Sequence, residues 1–268
     1  MGTRTIELSK RGSVFTLRLD VPEKLNALGT QLRHDLNEAL DACAADPAMH
    51  VLILTGAGRG FCAGADLSER VPLEGDESQR KMAHQRRMDE EFNAIIKKLL
   101  DMPVPTIAAV NGVAAGGGYG LALACDLVIA AESAKFVLVF TGQLGLIPDM
   151  GASWHPPRSM GRARAIASAF FGEPMTSTEA VEHGLIWKAV PDEDLHQEVE
   201  ATAQILALGP TCAYVETRRA MDKATSQSLH EHLDMEARVQ PELLVSKDFS
   251  EAVKAFLEKR PPNFGSDK

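Results

Sequence analysis

Three observations predict an α/β fold with a helical C-terminal region. Short charge-free runs rich in β-branched residues, such as Val51 to Thr55 and Thr106 to Val110, recur up to Val190 and alternate with longer amphipathic stretches. Beyond Val190 no such run occurs, whereas apolar residues continue at helical spacing to Lys259. The chain of 268 residues, 45% hydrophobic and 24% charged, also has the composition of an ordinary globular protein able to bury a large core. The expected division is an α/β core over 1–200 and a helical region over 201–268.

Taken in order, Thr5 to Leu8 and Val14 to Leu19 alternate polar and apolar across Lys10-Arg-Gly12, which predicts a hairpin. Pro22 to Gly29 is a loop. Leu32, Leu36 and Leu40 at i+4 spacing predict a helix over Thr30 to Ala44. His50 to Thr55 is a buried strand ending in Gly56-Ala-Gly-Arg-Gly60. A dinucleotide fingerprint is excluded there, because Phe61 stands where its third glycine belongs. Phe61 to Leu67 reads as a tight turn of small residues able to present main-chain N–H groups. Val71 to Arg80, with Pro72 and Gly75, reads as a polar, mobile loop. A helix to about Leu100 comes next, with Met88, Phe92, Ile95, Ile96 and Leu99 on one face. The strand Thr106 to Val110 breaks at Asn111-Gly112, and an alanine- and leucine-rich helix runs towards Cys125. Strands at Asp126 to Ala130 and Lys135 to Phe140 precede a loop over Gly142 to Gly151. Helices are expected near Arg162 to Phe171, Ser177 to His183, Asp194 to Leu208, Cys212 to Ala224, Leu229 to Ala237 and Phe249 to Lys259.

Everything is organised around the stretch from Ile107 to Cys125, which carries Gly116, Gly117 and Gly118 between its strand and its helix. Three consecutive glycines cost conformational entropy, so the fold needs unusual dihedrals or close backbone approach there. A helix opening at these glycines leaves its first N–H groups without internal partners, an arrangement that suits a phosphate, a carboxylate or a developing oxyanion. On these residues alone, a tight packing joint explains the glycines equally well.

The net charge of −9 and pI near 5.4 attract neither a nucleic-acid backbone nor an anionic membrane. Cys43, Cys62, Cys125 and Cys212 show no paired spacing, which argues against a metal site or redox chemistry and fits a reducing compartment. No signal peptide and no apolar run of membrane-spanning length is read at Met1 or beyond, and a cytoplasmic location is expected.

Three motifs, Gly58-Arg-Gly-Phe-Cys-Ala-Gly-Ala-Asp-Leu67, Val110-Asn-Gly-Val-Ala-Ala-Gly-Gly-Gly118 and Gly145-Leu-Ile-Pro-Asp-Met-Gly151, resemble those of the crotonase superfamily, the enoyl-CoA hydratases and isomerases. Pro22-Glu-Lys-Leu-Asn-Ala-Leu28 and Phe256-Leu-Glu-Lys-Arg-Pro-Pro-Asn-Phe264 extend the match over essentially the whole chain. The resemblance implies a spiral of β-β-α turns with C-terminal helices that build homotrimers, often paired into hexamers. It implies an acyl-CoA substrate, with coenzyme A entering as part of that substrate and not as a separate cofactor. It also implies a thioester enolate held by the backbone N–H groups of Ala65 and Gly117. Lys24, Leu25, Ala63, Asp66 and Leu67 correspond to positions that bind CoA. Phe256 and Lys259 correspond to positions that reach a CoA from the C-terminal region, that of the same or of a neighbouring subunit.

The hydratases of this family place one glutamate two residues after the third glycine and a second after the next strand. Here the first position is Gly120 and the second falls near Thr141, with no acid between Phe136 and Leu146. One carboxylate does lie nearby, Asp149, where several isomerases of the family carry their catalytic acid. Moving a double bond needs only one such group. Asp149 also suits a helix N-cap, and the two roles are compatible. The run from Ala134 to Asp149 looks most like the ring-1,2-epoxyphenylacetyl-CoA isomerases. The expected reaction is therefore double-bond or epoxide isomerisation with Asp149 as proton shuttle. Hydration of a 2-enoyl-CoA and non-catalytic acyl-CoA binding are the alternatives. Asp126 is expected in a structural ion pair, His155 in a surface loop, and Tyr119 is a candidate for lining the acyl pocket.

Overall fold

Strands β1 (Ile6–Arg11) and β2 (Val14–Leu19) pair antiparallel as expected, turned at Gly12 with φ of +59°. The computed structural model describes residues 5–69 and 75–264. Helix α1 (Thr30–Ala44) buries Leu32, Leu36, Leu40 and Cys43, the face that the i+4 spacing marks. After α1 the chain repeats one unit. Strand β3 (Val51–Gly56) is followed by β4 (Gly60–Cys62), β5 (Thr106–Val110) by β6 (Val113–Ala115), and β7 (Leu127–Ala131) by β8 (Lys135–Val137). In each pair the first strand joins a six-stranded sheet and the second joins a four-stranded sheet. Helical segments separate the pairs, so the chain climbs in β-β-α turns.

The larger sheet is completed by β10 (Lys188–Val190) in the order β1-β2-β3-β5-β7-β10, parallel throughout except for the hairpin. The smaller sheet runs β4-β6-β8-β9, where β9 (Met175–Thr176) closes the edge antiparallel. Strand β5 is buried at every residue, as expected for a central parallel strand covered on both faces. Strands β6 and β9 are absent from the sequence expectation, because two- and three-residue strands carry no readable period. The Lys135 strand ends at Val137, and Phe140–Leu144 forms one wide helical turn.

The expected polar loop over Val71 to Arg80 needs correction in part. Its residues 71–74 lie outside the described residues, but α2 (Glu77–Arg87) already begins inside it, opened by a reciprocal capping box between Asp76 and Gln79. A π-turn over Met88–Phe92 joins α2 to α3 (Asn93–Leu100) and presents Glu91 to α1. There the Arg33 guanidinium, 2% exposed, receives a charge partner: its Nε donates to Glu91 Oε2 at 2.9 Å. Its Nη1 donates to the Leu28 carbonyl, and the group stacks 4.4 Å from the Phe92 ring centroid.

Helices α5 (His155–Ser159), α6 (Arg162–Phe171) and α7 (Ser177–Glu182) come after β8, and α8 (Leu195–Ala207) lies on the larger sheet with Leu195, Val199 and Ala203 buried. The division expected near residue 200 thus falls inside a helix that packs on the core. Helices α9 (Thr211–Ala224), α10 (Leu229–Leu244) and α11 (Lys247–Glu258) extend beyond it, α10 packing on α9 and α11 on α10. Helix α10 runs past the expected end at Ala237 with Pro241 inside it, since one missing N–H removes a single ladder bond without stopping the chain. Arg218 of α9 ties the set to the core, donating to Asp126 at 3.0 Å and to the Met102 carbonyl. Asp126 is therefore the structural ion pair anticipated. No helix among the described residues is long and apolar enough to cross a membrane.

Candidate active site

The site forms where the first loop, the β4 turn and the start of α4 (Gly117–Leu123) converge. Ala63 N–H donates to the Leu25 carbonyl at 3.0 Å and Leu28 N–H to the Gly64 carbonyl at 2.7 Å, so residues 25–28 run beside residues 63–65 like a short parallel pair. Buried Asn26, at φ of +56°, pins this joint. Its side-chain amide donates to the carbonyls of Ala57 (3.0 Å), Gly60 (2.8 Å) and Phe61 (3.2 Å), and its oxygen accepts from Val21 N–H at 2.9 Å. Sequence reasoning misses both Asn26 and Arg33. An apolar-flanked asparagine after Pro-Glu-Lys-Leu and a charge inside an apolar helix face are the signals that could have found them.

The glycines are explained by backbone contact. A Cβ on Gly64 would lie 2.9 Å from Gly117 N and 2.7 Å from the Ala115 carbonyl oxygen. A Cβ on Gly118 would lie 2.1 Å from the Cys62 oxygen. Only bare Cα atoms let β4 and its turn close onto the first turn of α4, which sets the peptide before Ala65 alongside Gly117. Gly117 is the first residue of its helix, where an N–H has no intrahelical acceptor, and among the described residues no acceptor takes the Ala65 N–H. One main-chain N–H on the exposed turn and one at the buried helix start are thus left without a backbone acceptor beside the contact of Gly64 with Gly117.

Asp149 precedes a residue that packs on α4. Met150 comes next with φ of +50°, a strained value for a methionine, and is 3% exposed. A Cβ on Gly117 would meet Met150 Sδ at 2.6 Å, and one on Gly120 would meet the Met150 carbonyl oxygen at 2.2 Å. The segment after Asp149 therefore lies directly on α4. Burial drives the Asp149 pKa up to about 6, against a smaller opposing effect of its own backbone N–H. The N-cap role does not materialise: α5 begins six residues later, with Trp154 at its cap and no side-chain capping bond.

Lys24, Leu25, Ala63, Asp66 and Leu67 share one rim of this site. Lys24 Nζ lies 2.7 Å from Asp66 Oδ2 and 3.7 Å from Glu69. The lysine, followed by Ser68, holds the Asp66 carboxyl down to about 2. Leu67 is 61% exposed. Phe256 and Lys259 belong to the C-terminal helical region. They sit on and just after α11, Phe256 83% exposed and Lys259 in the left-handed conformation that ends the helix. Tyr119 is a core residue, not a pocket wall: it is 1% exposed and meets Phe136 edge-on at 6.0 Å between ring centroids. His155, expected in a surface loop, opens α5 half-buried, and burial lowers its pKa. Cys62 faces Gly118 and is inert, its thiol pushed up to about 12 by burial.

Comparison with known proteins places these features in a family. The family described as enoyl-CoA hydratase/isomerase matches residues 9–267. A probable enoyl-CoA hydratase of Rhodobacter capsulatus is 42% identical over 98% of this chain and 99% of its own length. The 1,2-epoxyphenylacetyl-CoA isomerase of Escherichia coli is 43% identical over 94% of each chain. Among solved structures, an enoyl-CoA hydratase from Bacillus anthracis superposes with a TM-score of 0.87 at 33% identity, covering 96% of this chain and 98% of that one.

Proposed function

The chain belongs to the enoyl-CoA hydratase/isomerase family, whose members act on acyl-CoA substrates, and we propose that its own reaction is isomerisation with Asp149 as the single proton shuttle. One observation carries this reading. The space where a side chain at Gly120 would begin is filled by the Met150 carbonyl, 2.2 Å from the ideal Cβ position. A hydratase-like first carboxylate has no room there in this backbone, and the chain from Phe136 to Leu146 supplies no second one. Water addition across a double bond calls for one group to activate water and one to deliver a proton. Double-bond migration calls for one group that does both in turn.

In this mechanism the thioester oxygen accepts hydrogen bonds from the N–H groups of Ala65 and Gly117, each contributing ~3 kcal/mol as negative charge develops on it. The Asp149 carboxylate removes a proton from one carbon of the acyl chain and returns it to another. A pKa of about 6 favours both halves near neutral pH, because the group is ionised before the first transfer and readily gives the proton back afterwards. The CoA portion lies along Lys24, Leu25, Ala63, Asp66 and Leu67, and Phe256 and Lys259 reach the CoA of a neighbouring subunit in a homotrimer or hexamer. Residues 201–268 serve that assembly. The enzyme works in the cytoplasm, needs no separate cofactor or metal, and binds no nucleic acid. The identity with the E. coli isomerase supports a ring-epoxide substrate, and a single proton shuttle also suits a 3-enoyl substrate. The similar identity with the R. capsulatus relative supports enoyl-CoA hydration as the second reading.

The deciding experiment is Asp149→Asn, which keeps volume and removes the base. Isomerisation of a 3-enoyl-CoA is expected to fall by ~10²-fold or more with acyl-CoA binding retained. Wild-type isomerase activity in this variant would refute the shuttle, and acyl-CoA binding without any turnover in the wild type would support a non-catalytic binding role.

A further inference from the structure

Met150 combines two features that the proposed chemistry leaves unexplained. It is a non-glycine residue in the left-handed region, and its main chain rests on the one helix position that lacks a side chain between Tyr119 and Leu121. Around an ideal Cβ on Gly120 stand the Met150 oxygen at 2.2 Å, its carbonyl carbon at 3.0 Å and its Cβ at 3.3 Å. These are three atoms of one residue, two of them backbone, so the crowding cannot be relieved by a rotamer change. The Met150 side chain turns the same way, and its sulfur occupies the space over Gly117. A left-handed methionine costs of order 1–3 kcal/mol and persists only when its surroundings fix it. Here the fixing surface is the glycine face of α4, and the residue held next to it is Asp149.

We infer that Gly120 is a positioning residue: its bare Cα is the seat of the Met150 carbonyl, and this seating sets where the Asp149 carboxylate points. The inference rests on the reading of Asp149 as the proton shuttle. It gives Gly120 a duty beyond leaving out an acid. Any side chain at 120 lifts the 149–151 segment off α4, swings the carboxylate away from the reacting carbons and opens it to water. Turnover then falls more than substrate binding, because the CoA rim at Lys24 and Asp66 lies on other elements.

Two variants test this. Gly120→Ala adds the single atom that unseats Met150. The double variant Gly120→Ala/Met150→Gly adds the same atom but gives residue 150 a backbone free to yield, so that the displaced segment can relax and the protein fold. For each, kcat and KM on a 3-enoyl-CoA and the acid limb of the kcat–pH profile are measured, beside thermal unfolding. The expected result is a kcat lowered ~10-fold or more with KM changed less than ~3-fold. The acid limb is expected to move down from about 6 towards the ordinary carboxylate range, as Asp149 gains solvent. A folded Gly120→Ala variant whose acid limb stays in place overturns the inference, whether or not its stability or kcat drops, since that is the behaviour of a mere packing glycine. If Gly120→Ala does not fold, the double variant decides on the same readouts. Asp149→Asn separates the levels: if it abolishes isomerisation while both variants behave as wild type, the shuttle stands and only the positioning role fails.

Discussion

Asp149 shows how a residue's surroundings set its titration. Partial burial disfavours its charged form and lifts its pKa from 3.8 to about 6. Turnover by an ionised base should therefore rise as pH passes through about 6, a limb that Asp149→Asn removes from the residual rate. The same shift has a stability sign. A carboxyl whose folded pKa lies above its unfolded value stabilises the protein at low pH and loses that contribution as pH rises from about 4 through about 6. At pH 7 Asp149→Asn is thus expected to raise stability by about 1–3 kcal/mol, a gain absent at pH 4 and checked by urea unfolding at both values. Asn26 is the opposite case. Its side chain satisfies three buried carbonyls and one N–H, so Asn26→Ala should cost about 2–4 kcal/mol in the same assay. Asp149 was marked in the sequence only as the nearest acid to an acid-free stretch, and its role as shuttle is proposed. Asn26 and Met150 were not readable as anchors, because Asn26 ties the nearby Val21 to carbonyls thirty or more residues on and Met150 rests on α4, thirty residues back.

At the scale of elements, long periodic segments were legible and short ones were not. The spacing of Leu32, Leu36 and Leu40 gave α1 its bounds, and the apolar run from Thr106 gave β5, because each buries a face that its period defines. Strand β6 escaped because Gly112 and Gly116 bracket three residues, and their purpose is seen only when β4 and β8 lie on either side. The start of α2 was hidden by Pro72 and Gly75, which suggested a continuous loop, although Asp76 and Gln79 held a readable capping box. The glycine cluster could be flagged but not interpreted, since contact of Gly64 with Gly117 and of Gly118 with Cys62 is a property of two elements together. One prediction belongs here. Gly120→Glu, which restores the acid of the hydratases, should not create hydration, because its Cβ collides with the Met150 carbonyl before the carboxylate reaches the pocket. The variant should instead lose about 1–3 kcal/mol of stability and most isomerase turnover, read by thermal unfolding and by 2-enoyl-CoA hydration.

For the whole molecule, the β-β-α repeat brings the Gly64 turn and Met150 onto the start of α4, while the C-terminal helices leave Leu229, Val245, Phe256 and Leu257 between 71% and 83% exposed. So much apolar surface on α10, α11 and the turn between them calls for a partner. A homotrimer or larger multiple of three is expected by light scattering at micromolar concentration, with a stable monomer as the contrary outcome. Which reaction the assembled site performs is decided most directly on the wild-type protein. Its kcat/KM on a 3-enoyl-CoA is compared with that on the matching 2-enoyl-CoA in ¹⁸O-labelled water. Migration of the double bond is expected at least ~10²-fold faster than incorporation of ¹⁸O into a 3-hydroxyacyl product. Hydration as fast as or faster than migration would contradict the one-carboxylate mechanism, and would mean that a second proton-transfer group works beside Asp149.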